Sequence, residues 1–201
     1  MHSIEDEINI YWFKFSSATV LYDNPSDAFH PIDVQEKHLL FAKLAQQYPQ
    51  FKGDDKGFTR FTKLAKNGIA VERKDRPAII MSSTSWTEDE DFNMLLQALE
   101  EYDNLKPEVS KHLPFILCLI TGKGPMQKFY SNLIASKSWS KVEFLLAWLE
   151  IEDYPRMIAC SDVGVSLHKS SSNLDLPMKI VDMFGSCLPV IAYDYNWYCL
   201  I

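Results

Sequence analysis

The sequence predicts an α/β fold, a Rossmann-like parallel sheet with helices on both faces. From residue 77 onward, short apolar runs alternate with stretches of helical periodicity, and this alternation is typical of βαβ units. The run "PFILCLIT", residues 114–121, is almost entirely apolar, as expected for a strand that is buried on both faces of a sheet. These two observations carry the prediction.

Local patterns place the individual elements. Five strands are predicted, at "PAIIMSS", "PFILCLIT", "KVEFLLAW", "VGVSLH" and "LPVIAY". The helices between them are predicted at "TEDEDFNMLLQALEEY", "MQKFYSNLIASK", "EDYPRMIACS" and "PMKIVDMFGS". Thr87 and Glu90 have the spacing of a capping box for the first of these helices. Upstream, "ATVLYDNP" is predicted as a short strand, and "DVQEKHLLFAKLAQQY" as a helix that Asp33 caps and Pro49 ends.

Residues 50–76 form the basic part of an otherwise acidic chain. Glycines interrupt any periodicity there, so we predict a mobile, poorly ordered loop or linker. The alternative is a surface that contacts acidic lipid head groups. The resulting division is a remnant of an inter-domain region at 1–49, the basic linker at 50–76, and a Rossmann-like domain at 77–201 that is truncated at its C-terminus. The basic residues are Lys52, Lys56, Arg60, Lys63, Lys66, Arg73, Lys74 and Arg76.

Composition excludes several classes of protein. The chain has 201 residues and a net charge of −7, which argues against a nucleic-acid-binding protein. It contains no apolar run long enough to span a membrane, and its N-terminus does not match a signal peptide. The four cysteines include no C-x-x-C pair, so we expect reduced thiols, with neither disulfides nor a zinc site.

The segment "TGKGP", residues 121–125, is a glycine loop between a predicted strand and a predicted helix. Gly122 and Gly124 allow backbone N–H groups to approach a phosphate near the start of a helix. The loop matches neither the dinucleotide fingerprint nor a P-loop. A tight turn without a ligand remains the alternative.

A second candidate site lies after the fourth predicted strand. That strand ends at His168, and serine hydroxyls precede a helix that Asp175 caps and Pro177 begins. Lys179 adds positive charge to this helix start, and Asp182 lies on the same face, placed to bind ribose hydroxyls. The alternative is an ion pair between Lys179 and Asp182 on a solvated face. The serines are Ser170, Ser171 and Ser172.

The acidic segment "DED", residues 89–91, resembles the D-x-D sequence that holds a metal in some sugar transferases. It falls in the first turn of a predicted helix, where acidic residues stabilise the helix dipole. We therefore interpret it as a cap and predict neither a metal site nor a cofactor.

Four long segments together resemble one known family. They are "RPAIIMSSTSWTEDEDF", "ITGKGPMQKFYSNLI", "WLEIEDYP" and "DVGVSLHKSSSNLDLPMKIVDMFGSCLPV". They closely resemble the chitobiosyldiphosphodolichol beta-mannosyltransferases, and the similarity runs from about residue 18 to residue 190. The resemblance implies a GT-B architecture of two Rossmann-like halves, of which this chain matches the C-terminal, donor-binding half in incomplete form. It implies a chain shorter than the family, without the acceptor-binding half, so that transfer by this chain alone is not expected.

The resemblance also implies an activity and a set of site residues. The activity is transfer of mannose from GDP-mannose to the chitobiosyl lipid, with inversion, at the cytosolic face of the endoplasmic reticulum. The family's glycine loop matches Gly122 and Gly124, its serine-rich donor loop matches residues 168–175, and its helix motif matches Lys179 and Asp182. The partners implied are GDP-mannose, the lipid-linked chitobiose acceptor and the membrane surface. No metal is implied, and no catalytic base is identified. A non-catalytic shortened paralogue that acts as an interaction module remains the alternative.

Overall fold

A computed structural model describes residues 23–169 and 177–193 of the chain. The strands are β1 (Thr62–Leu64), β2 (Ala70–Glu72), β3 (Ala78–Ser83), β4 (Ile116–Thr121), β5 (Val142–Ala147), β6 (Val163–Ser166) and β7 (Val190–Ala192). The helices are α1 (Val34–Leu44), α2 (Phe92–Asp103), α3 (Pro107–Ser110), α4 (Gln127–Ala135), α5 (Asp153–Cys160) and α6 (Met178–Gly185). A short 3-10 helix spans Pro49–Phe51.

Strands β3 to β7 form one parallel sheet in the order β5-β4-β3-β6-β7. Strand β3 is central, pairing Ile80 with Cys118 of β4 on one side and with Val163 of β6 on the other. Strands β4 and β5 therefore lie on one side of β3, and β6 and β7, which follow later in the chain, lie on the other side. All five strands predicted between residues 77 and 193 are confirmed.

The side chains of the sheet alternate between two apolar cores, one on each face. One core contains Ile79, Met81, Leu117 and Leu119, packed with residues of α1, α5 and α6. The other contains Ile116, Cys118 and Ile120, packed with residues of α2 and α4. Because helices cover both faces, the predicted fold class is confirmed.

Residues 50–76 are packed against the rest of the protein, so the prediction of a poorly ordered linker is wrong. Strands β1 and β2 form an antiparallel hairpin. Phe51 and Phe61 are fully buried, and their rings lie 5.6 and 4.8 Å from that of Phe41 in α1. The aromatic side chains bury this segment while its lysines are exposed, and Gly57 and Gly68 occupy turns with positive φ.

Two further predictions concern helix starts. Asp33 caps α1 and forms a capping box with Glu36, which confirms the predicted start. Helix α2 begins at Phe92 with Asp91 as its cap, so the capping box predicted for Thr87 and Glu90 is wrong. Most of the strand predicted at "ATVLYDNP" lies outside the described residues. In the described ranges, no helix is long and apolar enough to cross a membrane.

Candidate functional site

A cleft of about 480 Å³ lies at the carboxyl edge of the sheet. The loops after β3, β4 and β5 line it, together with Tyr154 of α5 and Lys179 of α6. Ligands of open parallel sheets bind at this edge, near the point where the order of the strands reverses. In this sheet the order reverses between β3 and β6. The cleft is therefore the candidate functional site.

A larger cleft, of about 560 Å³, lies away from this edge and is lined in part by Arg60, Arg73 and Glu143. Both of its arginines are paired with carboxylates. Arg60 Nη1 lies 2.5 Å from Glu143 Oε2, and Arg73 Nη2 lies 2.9 Å from Asp75 Oδ2. The lining of this larger cleft includes Pro77 and Phe115, which directly precede β3 and β4, so it lies at the amino edge of the sheet. Because ligands of open parallel sheets bind at the carboxyl edge, the smaller cleft there is the better candidate.

The glycine loop after β4 packs directly against the loop after β3. A Cβ atom on Gly122 would lie 1.8 Å from the carbonyl oxygen of Thr84, and one on Gly124 would lie 1.6 Å from that of Ser85. Gly122 also has a φ of +127° and lines the cleft. Both glycines are thus required by packing, and only Gly122 reaches the cleft wall directly.

Trp86 joins these two loops through hydrogen bonds. Its buried ring stacks on Phe92 at 4.7 Å, and its Nε1 donates to the carbonyl oxygen of Gly122 at 3.2 Å. Its backbone has a φ of +52°, a strained conformation for a bulky residue, and its N–H donates to Thr84 Oγ1 at 2.8 Å. Thr84 is thereby held in a fixed position at the cleft wall.

Lys179 binds a carboxylate that was not anticipated from sequence. Its Nζ donates to Oε1 of Glu90, and Thr84 Oγ1 donates to Oε2 of the same carboxylate. Glu90 is only 3% exposed. No ion pair between Lys179 and Asp182 is present in the part of the chain that the structure describes, so the solvated i,i+3 pair considered above does not form.

Asp182 is half-buried on α6, and burial raises the pKa of its carboxyl group. Burial also raises the pKa of Tyr154, whose side chain lines the cleft, and the negative charge of Asp182 raises it further. Both the tyrosine hydroxyl and the carboxyl group have the chemistry needed to bind sugar hydroxyls.

His168 lies next to the backbone of Glu90. It forms an isolated antiparallel bridge with Glu90, and its Nδ1 lies 3.2 Å from Asp89 Oδ2. Asp89 has a lowered pKa, chiefly because Thr87 donates a hydrogen bond to it, with His168 also contributing. The prediction that "DED" lies in the first turn of the helix is wrong, because the helix begins at Phe92 and Asp91 is its cap. The predicted Ser170, Ser171 and Ser172, and the predicted cap Asp175, lie outside the described residues.

Sequence reasoning missed three residues of the cleft region: Thr84, Glu90 and Trp148. Trp148 is more than half exposed, and Lys123 Nζ lies 4.0 Å from the centre of its ring. The signal for Trp148 was its place directly after a strand, in a segment that the family resemblance already included. Taken together, the cleft offers the ammonium group of Lys179, a glycine loop and an aromatic face, which suits a phosphorylated ligand with a planar or sugar group.

Several curated proteins of one name are similar to this chain in sequence. No protein-family model matches the chain. The chitobiosyldiphosphodolichol beta-mannosyltransferase of Homo sapiens is 45% identical over 186 residues, which cover 89% of this chain and 40% of that protein. The protein of the same name from Candida glabrata is 44% identical over 188 residues, 94% of this chain and 38% of its own length.

Two more distant proteins are also similar. The UDP-glycosyltransferase TURAN of Arabidopsis thaliana is 39% identical over 202 residues, 89% of this chain and 43% of that protein. The solved structure of the pneumococcal O-GlcNAc transferase GtfA has a TM-score of 0.45 and 16% identity, over 60% of this chain and 21% of that one. By sequence, this chain belongs to the chitobiosyldiphosphodolichol beta-mannosyltransferase family, and it spans about two fifths of the length of the curated relatives that it matches.

Proposed function

We propose that this chain is the donor-binding part of a GT-B mannosyltransferase and that it binds GDP-mannose in the cleft at the carboxyl edge of the sheet. In this proposal the mannose is destined for a β-1,4 linkage to chitobiosyl-diphosphodolichol, at the cytosolic face of the endoplasmic reticulum. The names of the relatives support the reaction and the lipid acceptor. Binding of the acceptor and contact with the membrane surface belong to the same proposal.

The observation that supports donor binding is the placement of Lys179 beside the glycine loop, in one cleft. An ammonium group next to backbone N–H groups favours an anion, and a nucleotide sugar carries a diphosphate. Asp182 lies three residues after Lys179 on the same helix, and in this proposal its carboxyl group binds the two hydroxyls of a ribose. The roles predicted for Gly122, Gly124, His168, Ser170, Ser171, Ser172, Lys179 and Asp182 remain predictions.

Nucleotide binding is the direct test of this proposal. Calorimetry compares GDP with UDP, ATP and NAD, each without added metal and again with a chelator. We expect the chain to bind GDP most tightly and the chelator to leave the affinity unchanged. We also expect Lys179→Ala and Asp182→Ala each to weaken GDP binding, by about 1.5–3 kcal/mol for a lost charged hydrogen bond.

A matched control is available in a second lysine that is paired with a glutamate. Lys137 Nζ lies 2.5 Å from Glu100 Oε2, between α2 and α4 and outside the cleft. Lys137→Ala is therefore expected to leave GDP affinity unchanged. Equal GDP affinity in wild type, Lys179→Ala and Asp182→Ala would remove both residues from the donor site. Absence of GDP binding by the wild type would overturn the proposal as a whole.

A further inference from the structure

A buried carboxylate lies directly behind the candidate donor site. Glu90 is 3% exposed, and each of its two carboxylate oxygens accepts a hydrogen bond, Oε1 from Lys179 Nζ and Oε2 from Thr84 Oγ1. Removing a carboxylate from water is costly unless it is paired and hydrogen-bonded. Both contacts are therefore needed to keep this charge inside the protein.

The loop after β3, rather than α6, determines where this carboxylate lies. The Glu90 N–H donates to the carbonyl oxygen of Thr87 at 3.2 Å, and its backbone bridges to that of His168. Thr84 Oγ1, which donates to the carboxylate, accepts from the N–H of Trp86, itself fixed by its buried ring. Glu90 is thus a rigid acceptor that the sheet presents to α6.

Lys179, in contrast, has a long and flexible side chain. Four methylene groups give a lysine many rotamers, and a fixed acceptor selects one of them. Its side chain is 19% exposed and lines the cleft, whereas that of Glu90 is 2% exposed and lies behind it. An ammonium group carries three N–H donors, so it can bind Glu90 and an anion in the cleft at the same time.

From this geometry we infer that Glu90 is a positioning residue, which holds the ammonium group of Lys179 where the diphosphate of the donor binds. The inference rests on the function proposed above and adds to it a residue that does not touch the ligand. Glu90 acts on the donor only by holding Lys179 in place. The loop after β3 therefore contributes to donor binding through a buried acid.

Whether Glu90→Gln raises or lowers GDP affinity distinguishes positioning of Lys179 from simple neutralisation of its charge. If Glu90 only neutralised Lys179, then Glu90→Gln would remove a negative charge near the diphosphate and GDP would bind more tightly. If Glu90 positions Lys179, then the same substitution frees the lysine side chain and GDP binds more weakly. We expect GDP affinity to fall roughly tenfold, the loss of one charged hydrogen bond, while guanosine, which lacks phosphate, binds as to the wild type.

A double-mutant cycle tests whether Glu90 acts through Lys179. GDP and guanosine affinities are measured by calorimetry for the wild type, Glu90→Gln, Lys179→Ala and the double variant. We expect Lys179→Ala to weaken GDP binding roughly tenfold to a hundredfold in the wild type and less than about threefold in the Glu90→Gln background. Glu100→Gln, the same chemical change in the pair with Lys137, is the matched control and is expected to change neither affinity.

The measured affinities decide whether Glu90 positions Lys179 or only neutralises its charge. An equal effect of Lys179→Ala in both backgrounds, or tighter GDP binding by Glu90→Gln, overturns the positioning role. If the wild type binds GDP and Glu90→Gln binds it equally well, only this inference fails; if the wild type does not bind GDP, the proposed function fails with it. Where Glu90→Gln does not fold by circular dichroism, Glu90→Asp replaces it, because it keeps the charge but withdraws the carboxylate from Lys179 by one methylene group. That variant is expected to weaken GDP binding about threefold and leave guanosine unchanged, and unchanged GDP affinity there overturns the inference.

Discussion

Arg76 and Asp162 form a two-bond ion pair that ties the segment before β3 to the turn before β6. Arg76 Nη2 lies 2.6 Å from Asp162 Oδ1, and Nη1 lies 2.8 Å from Oδ2. Oδ2 also accepts from the backbone N–H of Ile79 at 2.7 Å. Because β3 and β6 are the strands that join the two halves of the sheet, this pair fixes their junction at the amino edge.

Replacing Asp162 by Asn is expected to lower the free energy of unfolding by about 1.5–3 kcal/mol, because charged hydrogen bonds to Arg76 and Ile79 are lost. Urea denaturation provides the measurement. The control is Asp54→Asn, whose carboxylate is largely exposed and lies 3.5 Å from Arg73 Nη1. That exposed pair is expected to change stability by less than about 0.5 kcal/mol. Similar losses in the two variants would contradict the prediction.

The stability of the protein is expected to depend on pH through the carboxyl group of Asp162. Burial raises the pKa of Asp162, but the hydrogen bonds from Arg76 and Ile79 outweigh that effect and bring the pKa below the ordinary value of 3.8. The unfolded chain thus takes up this proton at a higher pH than the folded chain does. The stabilisation is complete above the unfolded pKa and is lost as the pH falls through the folded one.

Urea denaturation of wild type and Asp162→Asn at a series of pH values from neutral downward measures this effect. We expect the difference in free energy of unfolding between the two proteins to be constant at neutral pH and to shrink as the pH falls below 3.8. A difference that stays constant into that acidic range would show that the pKa of Asp162 is not lowered by folding.

Gly124→Ala is expected to destabilise the protein by about 1–3 kcal/mol, because its Cβ would lie 1.6 Å from the carbonyl oxygen of Ser85 and the two loops must separate. Thermal unfolding measures the loss. Gly68→Ala is a useful comparison, because no atom lies within 4 Å of its Cβ position and only its φ of +80° opposes the change. GDP affinity is expected to fall for Gly124→Ala and to stay unchanged for Gly68→Ala.

Phe61→Ala tests whether residues 50–76 belong to the folded core. Phe61 is 1% exposed and packs on Phe41 and Phe51, so its removal is expected to cost about 3–5 kcal/mol of unfolding free energy. Ile69→Ala, in the turn between β1 and β2, is largely exposed and is expected to change stability by less than about 0.5 kcal/mol. If Phe61→Ala did not change the free energy of unfolding in urea denaturation, residues 50–76 would be a linker and not part of the folded core.

The sheet could be predicted from sequence because its signal is local. In β4, Leu117 and Cys118 face opposite cores, so the continuous apolar run directly reports burial on both sides. Residues 50–76 could not be predicted in the same way. Phe51 and Phe61 are buried against Phe41, which belongs to a different element. The sequence around them has no helix or strand periodicity from which this contact could be predicted.

The site was predictable only in part, for the same reason. Lys179 could be placed at the carboxyl edge because it follows a strand and a turn. Glu90 was misread, since an acid three residues after Thr87 fits a capping box, while its actual partner lies 89 positions away in the chain. Only the strand order, which brings the loop after β3 next to α6, reveals that pairing.

The central place of β3 has a consequence for how the protein is made. Its pairing with β4 closes a much shorter loop than its pairing with β6, in which Ile80 meets Val163. Loop closure costs more entropy as the loop grows, so β3, β4 and β5 are expected to assemble first. On the ribosome, β3 emerges long before β6 does, and its open edge stays unpaired in the meantime. The nascent chain is therefore expected to expose an apolar strand edge, which favours aggregation, until β6 has been synthesised.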